Sequence, residues 1–176
     1  MQPIRLRSFP LKTILTAATA FLLLGGSVAL AQTPTRMAQF NAWGSYSYTS
    51  QGSKVCYILS TPTSMEPASV DHGDIFFLVS QKPGQGVSYE PQAVMGYPMQ
   101  EGSKVVVDID GQKYTLFTRG ESAWMENAAE EPKFVAALRN GTSMKVDAKS
   151  RRGTTTNYVY SLAGVTAALK SIDTCK

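Results

Sequence analysis

The sequence predicts a mainly β chain, a mostly antiparallel sandwich with two short helices. Three observations point there. Short runs rich in Val, Ile, Tyr, Phe and Thr recur between turn residues, with apolar side chains alternating or on both faces. Asp110-Gly111 separates KVVVDID from QKYTLFT, and Asp-Gly suits the tight type I′ turn of a hairpin. Helical spacing is confined to two short segments, and no regular strand–helix alternation runs along the chain, which excludes a doubly wound α/β fold.

The first 31 residues read as a signal peptide. Arg5, Arg7 and Lys12 form a basic start without an acid, the stretch 13–31 carries no charge, and Ala29-Leu30-Ala31 offers small residues where a signal peptidase reads. Cleavage is expected between Ala31 and Gln32. The stretch is also about long enough for a membrane anchor, but Gly25, Gly26 and Ser27 break its apolar core. Without the leader, the formal charge falls from +4 to +1, so the basic balance belongs to targeting and gives no sign of nucleic acid as a partner. No later apolar run is long enough to span a bilayer. The remaining length suits one domain with one core.

Residues 32–41 are polar and read as a short flexible leader before a single domain, 42–176. WGSYSYTS (43–50) and KVCYILST (54–61) flank Gln51-Gly52, and the second is apolar on both faces, as an interior strand is. Pro62, Pro67 and Gly73 make 61–73 a long loop. DIFFLVSQ (74–81) is the strongest central strand. In 87–98, Pro91 implies an edge or a bulge. The Asp-Gly hairpin follows, then a short run SAWME (122–126). Asn127 with Glu130 resembles a capping pair, and Phe134, Ala137 and Leu138 share one face of a helix over about 128–139 that stops at Asn140-Gly141. Runs 142–150 and 154–161 form a second hairpin around Arg151-Arg152-Gly153. Leu162, Val165, Leu169 and Ile172 then mark an amphipathic closing helix, with Gly164 weakening it.

Cys56 and Cys175 are the two cysteines, and in an exported chain they most simply form one disulfide. Two free thiols or an intermolecular bridge are the alternatives. No C-x-x-C is present, which argues against a thiol oxidoreductase. Catalytic, metal and cofactor sites are not expected. His72 is the single histidine, and Asp71-His72-Gly73-Asp74 finds no further ligands for a zinc site, so it reads as a polar loop. Gly120-Glu121-Ser122-Ala123-Trp124 begins like a nucleophile elbow but lacks the second glycine. Asp108 and Asp110 read as turn chemistry and not as a glycosidase pair. The basic cluster Lys145, Lys149, Arg151 and Arg152 reads as a solvated strand end. The eight tyrosines read mainly as core and cross-strand packing.

Several stretches, in order, carry a resemblance. WGSYSY…KVCYILSTP, GDIFFLVSQKP, VMGYPMQEGSKVVVDIDGQKYTLFTRGESAW and FVAALRNGTSMKV…RRGTTTNYVYSLAGVTAALKSIDTCK together resemble the invasion-associated locus B (IalB) family of alphaproteobacterial exported proteins, over about residues 42–175. The resemblance implies an immunoglobulin-like β-sandwich with a small helix and a non-enzymatic envelope protein named for a role in host-cell invasion. It brings no catalytic residue to carry over. The expected location is periplasmic or extracellular, with a protein partner in the envelope or on a host cell. A periplasmic small-ligand binder, using the loop 61–73 as a lid, is the alternative.

Overall fold

Side-chain alternation becomes strand pairing along most of the chain. The computed structural model describes residues 33–175, so the leader and its expected cleavage point lie outside the described residues. The strands are β1 (Thr35–Phe40), β2 (Trp43–Ser50), β3 (Ser53–Ser60), β4 (Ser64–Glu66), β5 (Phe76–Lys82), β6 (Val87–Val94), β7 (Lys104–Ile109), β8 (Gln112–Arg119), β9 (Ser122–Met125), β10 (Ser143–Lys149) and β11 (Thr155–Ser161). Helix α1 (Glu131–Asn140) separates β9 from β10, and α2 (Val165–Ile172) follows β11.

The strands pair antiparallel in the order β1-β2-β3-β5-β6-β9-β8-β7-β10-β11-β4. Six steps along that ladder separate β5 from β11. In a flat sheet they would stand about 29 Å apart. Yet the rings of Phe77 on β5 and Tyr160 on β11 have centroids 6.2 Å apart. The ladder therefore folds back on itself into two facing layers. It is an antiparallel β-sandwich whose layers stay hydrogen-bonded to each other through the short β9.

Inward residues fill the space between. Ile58, Phe77, Val79, Val105, Val107, Leu116 and Val146 are buried, as the two-fold alternation requires. Phe134 of α1 reaches the same core and packs on Phe77 and Tyr114. Trp43 is fully buried, and its Nε1–H donates to the Ser161 carbonyl at 2.9 Å, tying β2 to β11. Helix α2 buries Val165, Ala168, Leu169 and Ile172 and lies against β1, β2 and β3.

Three expectations need correction. Thr35–Phe40, read as part of a flexible leader, is the edge strand β1, held by backbone pairing to β2. The loop 61–73 contains β4, three exposed residues paired to β11. Gly164 lies before α2 and not within it. Its φ is +91°, and a Cβ there would fall 2.0 Å from the Phe40 carbonyl oxygen, so glycine permits the chain to pass β1 closely. Pro91 sits inside β6, where residues 87–91 have no partner on the β9 side and the pairing with β5 is irregular.

Asp110 and Gly111 both have positive φ, as a type I′ turn demands. The Asp110 carboxylate also accepts from the backbone N–H of Thr142 at 2.7 Å and of Ser143 at 3.2 Å, anchoring the α1–β10 connection. The Thr142 backbone N–H is the main cause that holds this carboxyl below its ordinary value. A depressed carboxyl stabilises the fold above its unfolded-state pKa, and that contribution is lost as pH falls through the folded-state value. Asp110→Asn is therefore expected to lower the melting temperature at pH 6 and to narrow its gap to wild type as the pH falls below the ordinary aspartate value of about 3.9. A gap that stays constant across the acid range would contradict this.

Candidate functional site

The structure disperses most of the residues that carried chemical promise. Cys56 and Cys175 are joined in a disulfide across a sequence separation of 119. Asp108 Oδ1 accepts from the Gly111 N–H at 2.7 Å, so both acids of that hairpin serve its turn and the connection beside it. Ser122 Oγ accepts from Gln92 Nε2 at 3.1 Å, on the outer face of the sheet. Among the described residues no three His, Cys, Asp or Glu side chains cluster to hold a metal.

His72 lies in the polar loop read from the sequence, and it is buried there. It is 7% exposed, edge-on to the Tyr158 ring, with Nδ1 3.0 Å from the Tyr158 hydroxyl. Its Nε2 lies 3.1 Å from the Pro67 carbonyl, which can only accept, so Nε2 carries the proton. From Tyr158 the chain of hydroxyls continues to Tyr97 at 3.1 Å and to Thr156 at 2.5 Å, and Thr156 donates to the Ala148 carbonyl at 3.3 Å. Burial pushes the Tyr158 hydroxyl far above its ordinary value, so it stays protonated. With both ring nitrogens engaged, His72 has a structural place pinning the 67–73 loop to β11.

A pair of glycines makes this possible. A Cβ on Gly73 would meet the Gly96 carbonyl oxygen at 2.6 Å, and one on Gly96 would meet the Asp74 nitrogen at 2.4 Å. The two backbones touch, which brings Tyr97, next to Gly96, beside the loop that carries His72. Between this loop and the β10–β11 turn lies a cleft of about 540 Å³. Ser69, Val70 and Asp71 line one side, Tyr97 and Thr156 contribute their linked hydroxyls, and Arg151 and Arg152 stand on the turn.

A second surface lies on the outside of the sheet. One cross-strand row runs Leu59, Leu78, Gln92, Trp124, Phe117 and Lys104 across six strands. Trp124 stacks on Phe117, which is 40% exposed, and Tyr57 stacks on Tyr46 beside Tyr48. Burial first, then Tyr46 and Tyr48, push the Tyr57 hydroxyl up. The Lys82–Glu90 and Lys104–Glu126 ion pairs flank this face. An outer sandwich face is ordinarily polar, so half-buried aromatic side chains there stand out. The tyrosines thus divide: Tyr114, Tyr158 and Tyr160 are core, while Tyr46, Tyr48 and Tyr57 look outward.

Residues 43–173 match the family model described as Invasion associated locus B (IalB) protein. The chain belongs to the IalB family. The crystal structure of invasion associated protein B from Bartonella henselae is similar to this IalB chain with a TM-score of 0.56 and 15% identity, covering 78% of this chain and 94% of that one. At that identity the likeness concerns the fold. No curated protein matches the chain in sequence. The IalB match runs from β2 to the end of α2, and so takes in the cleft and the aromatic strip and stops short of Cys175.

Two neighbouring tyrosines of this IalB sandwich should respond in opposite senses. The Tyr160 hydroxyl is buried without a hydrogen-bond partner, whereas Tyr158 holds His72 and Tyr97. Tyr160→Phe is expected to leave stability unchanged or raise it by up to about 1 kcal/mol, and Tyr158→Phe to lower it by about 1–3 kcal/mol. Urea unfolding of the two variants measures both; equal losses would remove the distinction.

Proposed function

We propose that this IalB protein is exported and acts outside the cytosol by binding, without catalysis, as an envelope component that contacts a protein of the envelope or of a host cell. The observation that carries the reading is the Cys56–Cys175 disulfide, since such bonds persist in oxidising compartments and are rare in the cytosol. The engagement of both His72 nitrogens and of both cysteines supports a non-catalytic role, and the aromatic strip supports contact with a protein, where Tyr and Trp supply much of the binding energy. The similar Bartonella henselae protein is described as invasion associated, which supports a host-cell setting.

Cell fractionation with intact-mass measurement tests export. The expected species starts at Gln32 and is recovered from the periplasm or medium with no titratable thiol. Recovery from cytoplasm with the leader uncut and both thiols free would overturn the reading. Crosslinking in the envelope tests the contact. A partner captured by the wild type and lost with Trp124→Ser, in a variant that keeps its melting temperature, is expected. The cleft beside the 67–73 loop favours a second reading, a small-ligand binder.

A further inference from the structure

We propose that the cleft between the 67–73 loop and the β10–β11 turn binds a small organic anion, a carboxylate or a phosphate ester, through Arg151 and Arg152. The proposal rests on the small-ligand reading and assigns that ligand its charge. The cleft's volume of about 540 Å³ lies within the ordinary range of small-molecule sites.

The turn is rigid where its side chains are free. Arg151 N–H donates to the Pro98 carbonyl at 2.9 Å, Ser150 N–H to Thr154 at 2.9 Å and Gly153 N–H to Ser150 at 2.8 Å. These bonds fix the backbone against the Tyr97-Pro98 segment. Among the described residues, neither guanidinium has a hydrogen-bond or ion-pair partner. Both guanidiniums are exposed and free to donate to a ligand in the cleft. Their forked N–H groups match the paired oxygens of a carboxylate or phosphate.

The rest of the lining sets further limits on the ligand. Asp71 is the one acid among the lining residues, and its Oδ1 already accepts from the Gly73 N–H at 3.0 Å. Two arginines against one aspartate leave the cleft with a positive balance. The second Asp71 oxygen can accept a ligand hydroxyl, and the Tyr97 and Thr156 hydroxyls offer polar contacts at the other side. A hydroxylated anion of sugar size answers the guanidiniums and the second Asp71 oxygen together. A neutral sugar leaves the guanidiniums unanswered.

Isothermal titration of the purified protein at low salt tests this, with glucuronate, glucose 6-phosphate, citrate and glucose as probes. At least one of the anions is expected to bind and to raise the melting temperature, with glucose silent. The preferred anion tells carboxylate from phosphate. Arg151→Ala/Arg152→Ala is expected to weaken binding by about ten-fold or more, with the ligand-free melting temperature unchanged because both side chains are exposed. No binding by any anion would overturn the proposal, as would affinity that survives in the double variant. Glucose binding as tightly as the anions would also overturn it, yet would leave the small-ligand reading standing.

Discussion

Reduction of the Cys56–Cys175 bond is expected to lower the melting temperature by roughly 10 °C. Cross-linking residues with a sequence separation of 119 removes loop-closure freedom from the unfolded chain worth roughly 4–5 kcal/mol in the chain-entropy treatment. Measured losses for native disulfides are about 2–5 kcal/mol. Against a typical domain stability of about 5–15 kcal/mol, that is a large share. The bond joins β3 to the segment after α2, and both cysteines are buried. Its loss should therefore loosen α2 first, leaving the backbone of β1 exposed to exchange with solvent. Melting with and without a phosphine reductant, followed by hydrogen exchange of α2, measures both effects. An unchanged melting temperature in the fully reduced protein would refute the expectation.

Trp43→Ala should be costlier still. The side chain is fully buried, and its truncation leaves a cavity whose penalty is about 3–5 kcal/mol. The Ser161 carbonyl also loses its indole donor. The position is demanding because Trp43 and the adjacent bond from Ala42 N–H to the Ala163 carbonyl, 3.3 Å, join the β1–β2 edge to the end of β11. Trp43→Phe keeps much of the apolar contact and gives up the indole donor, so its loss should be clearly smaller. Chemical denaturation of the pair separates packing from hydrogen bonding. Equal losses would mean that the indole N–H, and not the ring volume, dominates.

Much of this architecture was legible because its signals are local. Alternation exposed β2, β3, β5, β7 and β8, and Asp110-Gly111 fixed a register in which Ile109 faces Gln112. The helix before β10 was visible from Phe134, Ala137 and Leu138, although Asn127 caps a preceding 3-10 turn at Ala128–Glu130 and not α1 itself. β1 and β4 were not visible. Their side chains are largely exposed, and backbone pairing with β2 and β11 holds them, so composition carries no trace of it. The cleft was equally hidden. Tyr97 and Thr156 lie 59 residues apart, and their meeting depends on two glycine backbones touching at Gly73 and Gly96. Gly73 was read only as part of a loop, and nothing in the sequence linked it to Gly96. The basic cluster was seen, but its neighbours were not.

The covalent link between β3 and the segment beyond α2 has a temporal meaning too. A polypeptide emerges amino end first, and Cys56 arrives well before its mate. Until 119 further positions have emerged, the early thiol has no correct intramolecular partner. β1, β2 and β3 must likewise wait for α2 before their outer edge is covered. Maturation should thus be a single late event, in which the final segment both covers β1, β2 and β3 and consumes the waiting sulfhydryl. An oxidising catalyst that acted too early would find only strangers to join.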